Sequence, residues 1–297
     1  MTYNSTPVKI FRIFNVIILI TAALLCLAPF MNLLAISLSD GTAAAAGHVG
    51  FLPVGFNLES YIYIVHNDRF TRAFMVSVIR VILGVAVNFT LVVLCAYPLS
   101  KSKEEFRSRS IYSWYFVITM LFVPSLIPMY IVVMNLGLID SIWALILPGA
   151  LPVFSMIVVL NFFRNLPKEL EESAAMDGAG HGRILLTIFL PLSKPALATI
   201  ILFSAVHHWN SWFDGIIFMN RSENYPLQSY LQTIVVNPAI LLRDMAGDPA
   251  LIAMLRMVSE RTVRAAQLFV AAIPILLLYP FLQRYFITGL VLGSVKE

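Results

Sequence analysis

The chain has 297 residues, 59% of them hydrophobic and 12% charged, with a mean hydropathy of +0.85. A soluble domain carries roughly a quarter charged residues, and here the apolar residues fall in long blocks rather than amphipathic stripes, so a water-soluble globule is excluded. The net charge of +4 reflects scattered loop lysines and arginines and gives no basis for a nucleic-acid partner.

In chain order, six blocks are long enough to cross a membrane: Ile13–Ile36, Phe74–Leu99, Ile111–Met134, Ile142–Phe163, Ala196–Phe218 and Ala265–Phe286. Each holds about 20 residues or slightly more, as a ~30 Å hydrocarbon core requires at about 1.5 Å per residue. The predicted fold class is all-α, one integral membrane domain of six helices over 13–286, with tails 1–12 and 287–297. The first block is too long for a signal peptide and no clean small-residue cleavage site follows it, so it reads as a retained span. Cys26 and Cys95 lie inside these blocks and read as small core residues. Interior prolines, Pro29, Pro124, Pro128, Pro148, Pro152, Pro274 and Pro280, kink helices and free carbonyls. They suit either ordinary bundle packing or bent helices splayed around a pathway.

Basic residues set the orientation. Lys9 and Arg12 precede span one, Lys101, Lys103, Arg107 and Arg109 follow span two, and Arg164, Lys168, Arg183 and Lys194 follow span four. The short loop after span three has no base. The excess of Lys and Arg in short loops places these segments and both termini in the cytoplasm. The long segments 37–73 and 219–264 then face outward, and their arginines do not conflict, because long loops cross largely regardless of charge. Tyr61 to Val65 suits packing on the membrane surface, and Leu227–Val236 and Pro249–Val258 have helical character.

Between spans four and five lies a polar insert, 165–182, with start and stop signals for a short helix. Pro167 suits the first helical position, where its missing N–H costs nothing. Glu169, Glu171 and Glu172 crowd the first turns, where the helix dipole favours negative charge, and Gly178 and Gly180 end the helix. The run Glu172-Ser-Ala-Ala-Met-Asp-Gly-Ala179, with Ile188, Leu190 and Pro191 beyond it, resembles the cytoplasmic coupling loop of ABC importer permeases. The family pattern is Glu-Ala-Ala, two residues, Asp-Gly-Ala, then Ile-x-Leu-Pro, and Ser173 replaces its first alanine. The resemblance implies that Glu172, Ser173, Ala174, Asp177, Gly178 and Ala179 dock on an ATP-binding subunit, with Ala174 and Ala175 permitting close approach. None of the six lysines follows a glycine, so the chain carries no Gly-Lys-Ser/Thr phosphate loop. ATP and magnesium would belong to the partner ATPase subunits, with no cofactor and no catalytic residue on this chain.

The resemblance covers most of the chain. Cys95-Ala-Tyr-Pro-Leu-Ser100, Trp209-Asn-Ser-Trp-Phe-Asp214 and Tyr225-Pro-Leu-Gln228 are similar to segments of sugar permeases. Gly289-Leu-Val-Leu-Gly-Ser-Val-Lys296 is similar to the tail of one permease subunit of maltose-type importers. The longer segment from Asn237 to Arg261 looks more like the branch serving alginate- and pectin-type oligosaccharides. The resemblance implies an ATP-driven sugar importer in a bacterial cytoplasmic (inner) membrane. Its partners would be a homologous permease, two ATP-binding subunits, an extracytoplasmic solute-binding protein and membrane lipid.

Ionisable groups inside spans are expensive and so are functional candidates. His207, His208, Trp209, Asn210 and Asp214 lie in span five. They suit a sugar, with apolar faces and hydroxyl edges, or interhelical bonding near the interface. Arg80 in span two either pairs with Asp214, faces the pathway or snorkels to the interface. Arg80, Arg256, Arg261 and Arg264 would attract an acidic saccharide if they lined the outer mouth. Metal-ligand clustering is not evident, and Ser204 with His208 at helical spacing lacks an oxyanion-hole motif. A secondary transporter would need midplane carboxylates, for which Asp214 is the sole candidate.

Overall fold

A chain crossing lipid must satisfy its backbone hydrogen bonds within itself, and a helix does so within one segment. The computed structural model describes residues 6–122, 124–237 and 258–294, and every regular element among them is helical. Among the described residues three helices are long and apolar enough to cross on their own, and three bent pairs would raise the number to six. The six expected spans are consistent with that arrangement. Pro249, most of Pro249–Val258, Arg243 and Arg256 lie outside the described residues.

The chain divides into two compact units. One comprises the described parts of Met1–Thr71 and Leu231–Pro274. Helix α1, Thr6–Ser37, is 32 residues long and carries Pro29 inside it. Its 18-residue apolar window is wholly unburied, so its side chains are left for lipid or partner protein. Cys26 is exposed there. At its end Ala35 and Ile36 pack with Ala44, Val49 and Ala265. Asp40 caps the short α2, Gly41–Ala45, accepting from the amides of Thr42 and Ala43. The Tyr61 hydroxyl, on α3 (Glu59–His66), meets that of Ser37 at 2.7 Å.

The other unit comprises Arg72–Tyr230 and the described part of Ile275–Glu297. Asn67 opens α4, Asp68–Ser100, by accepting from the amides of Arg69 and Phe70. Span three is two helices, α5 (Arg109–Leu121) and α6 (Leu126–Asn135), parted near Pro124. Span four starts as two 3-10 turns, Ile142–Leu145 and Leu147–Gly149, and Pro152 then leads into α7, Val153–Arg164, at 51° to them. Pro148 and Pro152 account for the broken start, since neither can donate a backbone hydrogen bond. After α8, Lys168–Met176, the helix α9, His181–Leu192, meets α10, Lys194–Asn210, at 84°. The fifth span therefore differs from the expected Ala196–Phe218. Its helix stops at Asn210, Ser211 and Trp212 are extended or irregular, and α11, Phe213–Phe218, restarts it. The segments α12, Leu227–Val236, and α13, Glu260–Ser294, complete the described chain, each helical as expected.

Two hydrophobic clusters lie in this second unit among the described residues. Val92, Val93, Ala96 and Leu99 of α4 pack with Met156, Val159, Leu160 and Phe163 of α7 and with Ile184, Leu185 and Phe189 of α9, at the end that bears the 165–182 loop. Val133, Ala144, Leu145, Phe218 and Met219 form the second.

Candidate coupling loop and polar seam

Glu171 and Glu172 part company within one turn of α8. The helix begins at Lys168 with Pro167 as its cap, one residue later than the sequence pattern suggests. At its far end the Ala179 amide donates to the Ala174 carbonyl at 3.0 Å and the Gly178 amide to Ala175 at 3.0 Å. This pair of bonds is the Schellman closure. It requires a left-handed residue, and Gly178 has φ of 77°. The Asp-Gly-Ala pattern thus has a backbone cause. Glu172, Ser173, Ala175, Met176, Asp177 and Gly178 are exposed. Ala174 and Ala179 instead pack inward on the chain's own core, so of the three alanines expected to meet a partner only Ala175 faces out.

Glu171 turns back toward the bundle and forms an ion pair with Lys101, the residue following α4. The Lys101 side chain is 7% exposed. Its ammonium lies 4.0 Å from the Tyr97 ring centroid and 4.5 Å from that of Phe189. The Tyr97 hydroxyl meets His181 Nδ1 at 3.3 Å, and Phe189 stands edge-on to both Tyr97 and Phe163. The coupling helix and the helix after it are therefore clamped onto the end of α4. Sequence reasoning counted Lys101 as a loop charge that reports orientation. Its partner lies 70 positions away, and only the fold reveals that it is enclosed.

The second site is a polar seam between α4 and the α10–α11 segment. Arg80, Gly84 and Asn88 are four residues apart and so share one face of α4. Arg80 is 1% exposed; Nη1 donates to Asp214 Oδ1 at 3.2 Å and to the Ser211 carbonyl at 3.3 Å, and Nη2 forms an ion pair with Asp214. The Asp214 carboxylate also accepts from Ser211 Oγ at 2.9 Å and from the Gly215 amide at 2.9 Å. These bonds satisfy the chain at the break in span five. One turn along α4, Gly84 receives the His208 ring, and a Cβ there would overlap it. Asn88 follows: its oxygen accepts from Ser204 Oγ at 2.9 Å, while its nitrogen donates to the Gly84 and Ala150 carbonyls at 3.0 and 3.2 Å.

The structure thus separates the residues read together in span five. Arg80 and Asp214 bind each other, His208 is buried at 2% exposure with Nδ1 unpartnered among the described residues, and Trp209 is buried edge-on to Phe74. Asn210 and His207 are exposed. The arginines considered for an outer mouth also have partners. Arg261 donates to the Ala44 carbonyl and Arg264 pairs with Glu260; Arg221, outside that set, pairs with Asp140 at 3.3 Å. Sequence reasoning missed Asp140, whose φ of 62° is left-handed and whose carboxylate accepts from Asn224 and the Arg221 amide. Burial raises the pKa of this carboxyl, but the bonds from Asn224 and Arg221 outweigh it and hold it below the usual carboxylate range.

Residues 93–292, which include the coupling loop and most of the seam's second strand of contacts, match the family described as binding-protein-dependent transport system inner membrane component. The polygalacturonan/rhamnogalacturonan transport system permease protein YtcP of Bacillus subtilis is 40% identical over 292 residues, 96% of this chain and 99% of that protein. Protein LplC of the same organism is 35% identical, over 99% of this chain and 97% of its own length. A chain of the crystal structure of a bacterial ABC transporter involved in import of the acidic polysaccharide alginate superposes with a TM-score of 0.87 at 31% identity, covering 96% of this chain and all of that one. The chain therefore belongs to the inner membrane components of binding-protein-dependent transport systems, the permeases of ABC importers.

Proposed function

We propose that this chain is one permease of an ATP-driven oligosaccharide importer, and that its cargo is acidic, of the uronate type. The observation that carries the coupling role is the two-sided α8 helix. Its outer face offers Glu172, Asp177 and a small Ala175, while its inner face is tied to α4 through Glu171 and Lys101. Such an element can receive a push from a docked ATPase and pass it to a span. Alternating access would follow from that movement, with no covalent chemistry on this chain. The expected assembly pairs it with a second permease, two ATP-binding subunits that hold ATP and magnesium, and an extracytoplasmic binding protein. Both termini and the 165–182 loop are assigned to the cytoplasm from the distribution of Lys and Arg.

The acidic cargo is supported by the relatives, not by free arginines. YtcP is named for polygalacturonan and rhamnogalacturonan, and the structural neighbour imports an acidic polysaccharide. Arg80, Arg261 and Arg264 are engaged within the protein. The assembled transporter in proteoliposomes is expected to take up galacturonate oligosaccharides in preference to neutral ones of equal length. Uptake of neutral sugars alone would overturn the cargo and leave the permease role standing.

A further inference from the structure

A crevice at the loop end of the third and fourth spans lies beside the coupling contacts and outside the polar seam. Its volume is about 330 Å3. Val117 and Ile157 supply apolar wall, with the buried Met156 and Leu160 behind them, Trp114 and Asn161 flank it, and Arg109 and Arg164 stand where α5 begins and α7 ends. Each arginine spends one nitrogen on a carbonyl at the end of α4: Arg109 Nη1 donates to Lys101 at 2.6 Å, Arg164 Nη2 to Leu99 at 3.0 Å. Neither guanidinium meets a carboxylate among the described residues, whereas Arg72, Arg80, Arg221 and Arg264 each do. Two like charges share one crevice, and each guanidinium retains most of its five donors.

The geometry restricts the occupant. A soluble anion would use the cationic rim but leave the apolar wall wet. An acyl chain alone would use the wall but leave the two guanidiniums, of which only Arg109 has a carboxylate nearby in Glu104, without an anion bound between them. An amphiphile with an anionic head answers both, and an indole at the rim is typical of the depth where headgroups lie. We propose that the crevice binds an anionic phospholipid, with its phosphate between Arg109 and Arg164 and an acyl chain along Val117 and Ile157. The choice of the cytoplasmic leaflet rests on the orientation assigned above, whereas the binding itself does not.

The test uses the full-length permease co-purified with its partner subunits and reconstituted in phosphatidylcholine vesicles. The vesicles contain a fixed fraction of brominated phosphatidylglycerol or, in a matched series, brominated phosphatidylcholine. Subtracting the signal of Trp114→Phe isolates the Trp114 emission from the other tryptophans. Brominated phosphatidylglycerol is expected to quench Trp114 several-fold more than brominated phosphatidylcholine. Arg109→Gln with Arg164→Gln should abolish that preference, and the paired Lys substitutions should retain part of it. Should the double Gln variant fail to assemble, each single one is expected to lower the preference. Equal quenching by the two lipids would overturn the proposal, as would a preference that survives both Gln substitutions. Relief of the preference by inorganic phosphate would make this an ion site instead, and absence of quenching by either lipid would mean that protein covers the crevice. No sugar or ATP enters the measurement, so a failure of the transport assignment would not be confused with a failure here.

Discussion

Lys101 sits where a charge is costly unless paired, and its position explains why it is paired twice, by the Glu171 carboxylate and by two aromatic faces. Lys101→Met is expected to leave ATP hydrolysis measurable in the assembled transporter while lowering sugar uptake per ATP. The exchange of Lys101→Glu with Glu171→Lys should recover part of that ratio, because the ion pair returns but the cation over Tyr97 does not. Unchanged uptake per ATP in Lys101→Met would remove this contact from the coupling route. Gly84 is the second residue with a definite cost. A methyl there must displace the enclosed His208 ring, and overpacking of this kind costs about 1–3 kcal/mol. A lowered melting temperature of the detergent-solubilised Gly84→Ala protein, with its oligomeric state unchanged, is the expected result. Neither residue was legible as such. A lysine beside Ser100 and Ser102 has the local pattern of a solvated loop, and a glycine in a membrane span has no local sign of what it faces.

At the scale of elements, the coupling helix was the most legible part of the chain, because its signals are local. Acidic residues at its start and glycine at its end act within a single turn, and the structure moves its start by only one residue. Replacing Glu172 and Asp177 together by Ala is expected to preserve the fold, since both are exposed, while weakening co-purification of the ATPase and lowering uptake. Normal uptake by a normally assembled double variant would argue against docking through this face. The fifth span was the least legible element. The expected block runs on through Ser211 and Trp212, no proline marks the break, and the cause lies in the Arg80 and Asp214 pair, whose members are 134 positions apart. The helix His181–Leu192 was visible only as a motif, Ile188 to Pro191, because its apolar face is short and is completed by α4 and α7.

For the whole molecule, composition alone separated lipid from water, and the six expected blocks are consistent with the three continuous helices and three bent pairs among the described residues, the fifth block overlapping only the second half of its pair. Hydropathy could not show that half of these are bent, since a bend changes direction without changing composition. The orientation is open to a direct check. After removal of Cys26 and Cys95, cysteines at Glu104 and Leu170 should react with an impermeant maleimide only from the cytoplasmic side, and one at Ala45 only from outside. Labelling of Leu170→Cys from outside would invert the protein and detach the loop from any cytoplasmic ATPase. The Schellman closure at Gly178 has a further consequence for how such an assembly forms. Nine residues are too few to hold a helix in water unaided, so this one is kept folded by its moorings on the bundle and not by its own length. If it docks on an ATPase as proposed, it reaches that partner already ordered, and association need not pay again in conformational entropy. The same dependence means that a free peptide copied from these residues would unwind and compete only feebly for the ATPase.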